Sequence, residues 1–154
     1  MILTDEICGV LTGGVSIALA SRNAALEPSI ARGAACRILD GARLRIVVSV
    51  THAGRLLDDV RESGMASATF VVPDTHRALQ FKGNDARIDA LDAGDRAAME
   101  AYVPAFAASI DPLGFREPFV RAFFASPGDE VAIEFTPAEA FQQTPGPAAG
   151  KRIA

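Results

Sequence analysis

Apolar and polar residues alternate along much of the chain, which is the pattern of a β-strand with one buried face. Six segments show this alternation, and turn-forming residues separate most of them: residues 15–19, 29–39, 43–50, 65–72, 76–88 and 131–135. Asp40-Gly41 predicts a tight hairpin turn between the second and third segments, and Pro73-Asp74-Thr75 predicts a second hairpin. Gly33 lies inside the second segment and predicts a bulge or a point of close approach.

The period changes to that of a helix after the third strand. Apolar residues recur there at three- and four-residue spacing: Ala53, Leu56, Leu57 and Val60. Thr51 is a suitable N-cap for this helix, and Gly64 is a suitable terminator. Asp92 predicts the start of another helix, which Pro104 should kink. One stripe of larger side chains supports that helix: Met99, Tyr102, Val103, Phe106 and Ile110. Residues 115–124 fit a helix or a strand equally well.

These elements predict a mainly β (α+β) domain that spans residues 1–154 and has short helices inserted between hairpins. No internal repeat, charge block or linker divides the chain. Closure removes the exposed edges of a six-stranded antiparallel sheet, so a small barrel is the first expectation and an open sandwich is the alternative. The Pro- and Gly-rich residues 142–150 predict an irregular tail.

Composition narrows the class of protein. The chain has 154 residues, 49% of them hydrophobic, which suffices for one buried core without disulfides or a structural metal. A net charge of −4 and a pI of about 5.1 disfavour binding to a nucleic-acid backbone. Cys8 and Cys36 are the only cysteines and His52 and His76 the only histidines, so no zinc-type ligand set can be assembled.

The apolar segment from Gly9 to Ala20 does not predict export. The first twenty residues contain Asp5 and Glu6 but no Lys or Arg, the reverse of a signal-peptide start. No uninterrupted apolar run reaches the length of about 18 residues that a membrane helix needs. We therefore expect a soluble, cytoplasmic protein that does not contact membranes.

The strongest candidate site lies where the third strand enters the first helix. Ser49, Thr51 and Arg55 gather there, and Arg32 is on the neighbouring strand. A helix N-terminus offers unpaired N–H groups and partial positive charge, so hydroxyls and guanidinium groups at this point suit a phosphate. The alternative is that Thr51 only caps the helix, Arg55 is solvated and Arg32 is a charge on an edge strand.

Five short features follow one another along the chain: Glu27-Pro28-Ser29-Ile30-Ala31-Arg32-Gly33, Asp40-Gly41, the helix after Ser49, Ala78-Leu79-Gln80-Phe81-Lys82-Gly83 and Phe141-Gln142-Gln143-Thr144-Pro145-Gly146-Pro147. Taken in this order, they resemble the motifs of the pyridoxamine 5'-phosphate oxidase-related family of FMN-binding split barrels. The likeness extends from about Val15 to Gly150. It implies a six-stranded antiparallel split barrel that forms a homodimer and binds FMN at the subunit interface.

The resemblance also implies roles for particular residues. Arg32 matches the family's strand arginine, Ser49 the hydroxyl on the next strand and Arg55 the basic residue at the helix start, all of them phosphate ligands. The oxidase proper has Ser-Arg-Lys where this chain has Ala53-Gly54-Arg55, and it uses a C-terminal Trp, whereas this chain contains no Trp. These departures argue against oxidation of pyridoxamine phosphate itself.

The implied function is therefore that of an FMN-dependent oxidoreductase or flavin reductase acting on an unidentified small molecule. No catalytic side chain is assigned, because the flavin itself carries the redox chemistry. Three alternatives stay open: a non-catalytic protein that holds FMN or haem, an enzyme that uses a deazaflavin, and an interaction module without a cofactor.

Four further residues are candidates for the cofactor site. Gln80 and Lys82 share one face of a strand, where they suit either the edge of the isoalloxazine ring or solvent. Gln143 and Thr144 in the tail suit either a cover over the cofactor, that of the other subunit included, or a cover over the strands. His52 stands beside the predicted phosphate site, and either histidine is a candidate haem ligand.

Overall fold

The computed structural model describes residues 3–153, which contain nine β-strands and four α-helices. The strands are β1 (Ser16–Arg22), β2 (Pro28–Arg32), β3 (Ala35–Leu39), β4 (Arg43–Ser49), β5 (Ala66–Val71), β6 (Ala78–Gly83), β7 (Arg87–Asp89), β8 (Glu130–Phe135) and β9 (Glu139–Gln142). The helices are α1 (Asp5–Leu11), α2 (Val50–Ser63), α3 (Ala93–Ile110) and α4 (Glu117–Phe123).

The strands form two antiparallel sheets. One has five strands in the order β2-β1-β5-β6-β9, and the other has four in the order β3-β4-β8-β7. The predicted α+β class and antiparallel pairing are confirmed. The predicted number of six strands in one closed barrel is wrong, because the described residues form nine strands in two sheets that do not close into one.

Two predicted strands are each divided between the sheets. The segment 29–39 breaks at Gly33, so that β2 joins the five-stranded sheet and β3 the four-stranded one. A Cβ at Gly33 would lie 2.7 Å from Cγ2 of Ile17 and 2.9 Å from Cγ2 of Ile46, so the predicted close approach at this glycine is confirmed. The segment 76–88 divides in the same way into β6 and β7, and β9 lies at the start of the predicted irregular tail.

The local predictions around the hairpins and α2 are largely confirmed. The strands β3 and β4 pair as a hairpin across the short 3₁₀ turn Asp40–Ala42, and β5 pairs with β6. Gly64 ends α2 in the left-handed conformation, with φ of 64°. The predicted N-cap was wrong: Ser49 is the N-cap, and Thr51 lies inside the first turn.

The helices α3 and α4 correspond to the segment that follows Asp92 and to residues 115–124. Asp92 and Asp95 form a capping box at the start of α3, and Pro104 lies inside this helix, which continues to Ile110. Residues 115–124 are mainly helical and contain α4.

The main core lies between the sheets and α2. The inward side chains of β1 and β2 pack against the buried stripe of α2, as the helical spacing predicts, and Phe70, Phe81 and Phe135 are fully buried. Most outward side chains of β1, β5 and β6 are small or polar. This sheet therefore has one face in the core, and none of the four described helices packs extensively against its other face.

A buried network of charges joins β4 to α3 and β8. The Arg45 side chain is 7% exposed; its Nη2 donates to Asp95 Oδ2 at 2.8 Å and its Nη1 to Glu134 Oε2 at 2.9 Å. Arg37 adds a further hydrogen bond to Asp95 at 2.8 Å. Burial by itself would raise the pKa of Asp95, but hydrogen bonds from Arg45, the Asp92 backbone and Arg37 outweigh it and hold that pKa at about 2.

We expect acid to weaken the fold through Asp95. Its pKa in the folded state lies below the ordinary value of 3.8, so its contribution is present above about pH 4 and is lost as the pH falls towards 2. Urea unfolding at pH 7, 5, 4 and 3 should show this decline. Asp95→Asn should have a shallower decline below pH 4, and an unchanged slope in this variant would contradict the assignment.

Candidate functional site

A cleft opens where β4 passes directly into α2. No loop separates the strand from the helix, so Ser49 at the end of β4 also stands at the N-terminus of α2. The cleft has a volume of about 330 Å³, in the range of small-molecule sites. It is lined by residues from β2, β4, α2, α3, α4 and the segment before β8: Arg32, Gly33, Ala34, Ser49, His52, Met99, Phe123, Phe124, Ala125, Ser126 and Glu130.

Arg32 supplies a cation to this cleft. Its guanidinium carbon lies 3.6 Å from the centroid of the Phe123 ring and 5.7 Å from that of Phe124. Among residues 3–153, no carboxylate lies within ion-pair distance of the Arg32 guanidinium. Partial burial lowers the pKa of Arg32. A cation held on an aromatic wall without an acidic partner suits an anionic ligand.

The N-terminus of α2 already holds an anion, the side chain of Asp129. Ser49 Oγ donates to its Oδ1 at 2.8 Å, while the backbone N–H and the hydroxyl of Thr51 donate to its Oδ2 at 2.7 and 2.6 Å. The Thr51 hydroxyl and the Ser49 hydroxyl lower the pKa of Asp129, which is therefore ionised at neutral pH. The helix start thus binds an oxyanion that belongs to the chain itself, and the phosphate expected there stays a prediction.

Arg55 stands apart from the other predicted phosphate ligands. It does not line the cleft; its side chain is 59% exposed and its Nη2 lies 3.3 Å from Glu27 Oε2. The structure thus brings Arg32 and Ser49 into one cleft. Thr51 does not line the cleft but shares the Asp129 carboxylate with Ser49, and Arg55 lies on the outside of α2.

The other four predicted residues lie together on the outward face of the five-stranded sheet or in the adjoining tail. Gln143 Nε2 donates to Gln80 Oε1 at 3.0 Å, and Thr144 Oγ1 accepts the backbone N–H of Ala78 at 2.9 Å. The Lys82 ammonium lies 4.7 Å from the ring centroid of Phe141. None of the four lines the cleft.

Strand register relates the cleft, through Arg32, to the group of Gln80, Lys82, Gln143 and Thr144. Arg32 pairs with Ala18, Ala18 with Thr69, and Thr69 with Gln80. Directly opposed residues in antiparallel strands point to the same face, so all four form one row on the outward face. Arg32 and Gln80 are three strand spacings apart, about 14 Å. One elongated ligand at this face can therefore reach both groups.

The sequence did not predict the aromatic wall formed by Phe123 and Phe124 or the internal anion, which is the Asp129 carboxylate. A helical signal for the wall was present, because Glu117 and Arg121 stand four residues apart and form an ion pair in α4. Asp129 gave no comparable signal, since it reaches Thr51 across 78 positions of sequence.

The described part of the chain lacks two other common functional elements. No group of three or more His, Cys, Asp or Glu residues there is arranged to hold a metal ion. No helix of residues 3–153 is long and apolar enough to cross a membrane. Cys36 is buried, which raises the pKa of its thiol and makes it unreactive.

Neither a protein-family model nor a curated protein sequence matches the chain. Solved structures do. HupZ from Group A Streptococcus has a TM-score of 0.59 at 18% identity, over 97% of this chain and 100% of its own. A protein from Lactobacillus delbrueckii, provisionally named a pyridoxamine 5'-phosphate oxidase, has a TM-score of 0.56 at 15% identity, over 90% and 93%. HutZ, the haem storage protein from Vibrio cholerae, has a TM-score of 0.53 at 14% identity, over 92% and 95%. At these identities the likeness establishes the fold alone.

Proposed function

Because the chain has the fold of the pyridoxamine 5'-phosphate oxidase-related FMN-binding proteins, we propose that it binds FMN and supports flavin redox chemistry on a small molecule. One observation carries the proposal: the Arg32 guanidinium has no acidic partner among the described residues and lies on an aromatic wall of the cleft. A phosphate attached to a flat aromatic ring system matches this combination of charge and surface.

The donor set fits a phosphate. Arg32 and Ser49 line one cleft, and the N-terminus of α2 stabilises an oxyanion through Thr51, with the Asp129 carboxylate as its stand-in. These three residues would hold the phosphate, and Arg55 would contribute only long-range charge from its exposed position. Bound FMN supplies hydride or electron transfer, so the chain needs to provide position, electrostatics and access rather than an acid or a base.

The flavin ring would lie along the outward face of the five-stranded sheet. The row that begins at Arg32 continues through the small side chains of Ala18 and Thr69 to Gln80. Small residues leave room for a flat ring against the strands. Gln80 and Lys82 would then offer hydrogen bonds to the ring edge, and Gln143 and Thr144 would cover it from the tail.

A second copy of the chain would cover the same face, giving a homodimer with the cofactor between subunits. Ile30 on β2 points outward with 71% of its surface exposed, beside the small outward residues of β1 and β5. An exposed isoleucine beside small side chains is suited to contact with a partner surface.

The proposal predicts that FMN binds the purified protein and raises its melting temperature, because the ligand binds only the folded state. Arg32→Ala should weaken FMN binding at least tenfold, about 1.4 kcal/mol. Arg61→Ala is the matched control, since Arg61 is an exposed arginine of α2 that pairs with Asp58. Flavin absorbance and fluorescence titrations measure both constants.

Two results would contradict the proposal. One is an unchanged flavin spectrum and melting temperature at saturating FMN. The other is equal losses of affinity in Arg32→Ala and Arg61→Ala, which would remove the cleft from the flavin site.

A second candidate function is haem binding, which the position of His52 favours. This imidazole lines the same cleft as Phe123, Phe124 and Met99, and histidine is a common axial ligand of haem iron. HutZ, whose fold is similar, is a haem storage protein. A Soret band that forms on addition of haemin and is lost in His52→Ala would favour this function over FMN binding, and a spectrum identical to that of free haemin would exclude it.

A further inference from the structure

We propose that Asp129, at the start of α2 beside the cleft, determines ligand specificity: its carboxylate competes with the ligand phosphate for Ser49 and Thr51, and so lowers affinity for phosphorylated flavins. The inference rests on the proposed flavin function and concerns the same site. It explains what an acidic side chain does among donors that otherwise suit a phosphate.

The geometry makes the two anions mutually exclusive. Asp129 takes three hydrogen bonds from Ser49 and Thr51, with donor–acceptor distances of 2.6 to 2.8 Å. These groups are the hydroxyl and backbone donors that the proposed phosphate would use. A phosphate dianion placed beside the carboxylate would also be repelled by it at short range. Phosphate therefore binds only when the Asp129 side chain leaves.

The side chain can leave without disturbing the sheet. The backbone carbonyl of Asp129 accepts the N–H of Val50 at 3.3 Å, next to the paired residues Ser49 and Glu130. This bond fixes the main chain but not the side-chain rotamer. Residues 125–128 before it are exposed, and Gly128 has φ of 84°. Rotation of the Asp129 side chain away from α2 is therefore sufficient to free the donors of Ser49 and Thr51.

A neighbouring carboxylate provides the matched control. Glu130 follows Asp129 directly and lines the cleft, but neither Ser49 nor Thr51 donates to its side chain. Removal of its charge changes the electrostatic potential of the cleft and leaves the donors of α2 occupied. Glu130→Gln thus separates general charge effects from direct competition.

The experiment compares FMN with riboflavin, which has the same ring and no phosphate. We expect Asp129→Ala to bind FMN at least tenfold more tightly than wild type, Asp129→Asn to be intermediate, and Glu130→Gln to gain less than threefold. Affinity for riboflavin should change less than threefold in all variants. An unchanged or weaker FMN affinity in Asp129→Ala overturns the inference, and so does an equal gain for riboflavin.

Inorganic phosphate separates this inference from the flavin proposal. If no variant binds either flavin, the proposed function fails while the competition remains testable. Phosphate should then raise the melting temperature of Asp129→Ala and leave that of wild type unchanged, each protein being compared with itself in phosphate-free buffer. No phosphate-dependent rise in either Asp129 variant overturns the inference, and Asp129→Asn serves if the alanine variant does not fold.

Discussion

Replacement of Arg45 by Met is expected to lower the free energy of unfolding by about 3–5 kcal/mol, the range for breaking a buried ion pair by removing one partner. Asp95 is completely buried and would lose three of its hydrogen bonds from guanidinium groups, leaving one from Arg37. Glu134, 4% exposed, would lose another. Methionine has a similar length and fills much of the space, so the loss reports mainly the hydrogen bonds and ion pairs that Arg45 makes to the two buried carboxylates. Urea unfolding at pH 7 measures it.

Arg87→Met is the control for this prediction. Arg87 also pairs with Glu134, at 2.7 Å, but its side chain is 55% exposed. Water solvates such a side chain in both the folded and the unfolded protein, so we expect Arg87→Met to lower the free energy of unfolding by less than about 1 kcal/mol. Losses of similar size in the two variants would mean that burial does not set the strength of this network. Arg45→Lys, which keeps the charge but not the forked geometry, should fall between them.

Phe81→Ala is expected to cost about 3–5 kcal/mol of the free energy of unfolding, the usual range for removal of a buried phenylalanine ring. Phe81 is 0% exposed in β6, between β5 and β9, and it meets Phe70 edge to face with ring centroids 6.0 Å apart. The cavity would lie on the core face of β6, an inner strand of the five-stranded sheet, where the paired strands on both sides limit collapse. Thermal and urea unfolding both report the change.

Phe119→Ala provides the matched comparison, because the Phe119 ring lies on α4 and is 51% exposed. We expect a change within about 0.5 kcal/mol for this surface position. A cost at Phe119 close to that at Phe81 would show that the aromatic face of α4 is covered in solution, and it would direct attention to the oligomeric state.

The sequence predicted elements well where a local signal decides them. The α2 stripe, its terminator Gly64, the Asp40-Gly41 hairpin and the Asp92 cap depend on residues close together in sequence, and all four are observed. Strand boundaries depended instead on where the chain changes sheets. At Gly33 the alternation of the sequence continues while the backbone leaves one sheet for the other, so no periodic pattern reveals the break.

The same distinction holds at the candidate site. Ser49 and Thr51 belong to a local feature, the start of α2, where the structure shows their donors bound to the Asp129 carboxylate, while their role as phosphate ligands stays a prediction. The identity of that oxyanion could not be predicted, because Asp129 arrives from the far end of the chain. The burial of Arg45 could not be predicted either. Alternation along β4 places Arg45 on the other face of the strand from Leu44 and Ile46, and α3 with its Asp95 then covers that face.

The cleft walls belong to parts of the molecule with different cores. Ser49 and Gly33 are anchored in the sheets, whereas Phe123 ends α4, which packs with the end of α3 over a separate small cluster of Ala107, Ile110 and Val120. So small a cluster holds less buried apolar surface than the sheets, and its amides should exchange with solvent through partial opening rather than global unfolding. The aromatic side of the cleft should therefore open at a lower free-energy cost than the side formed by the sheets, and hydrogen exchange of the α4 amides would measure that difference.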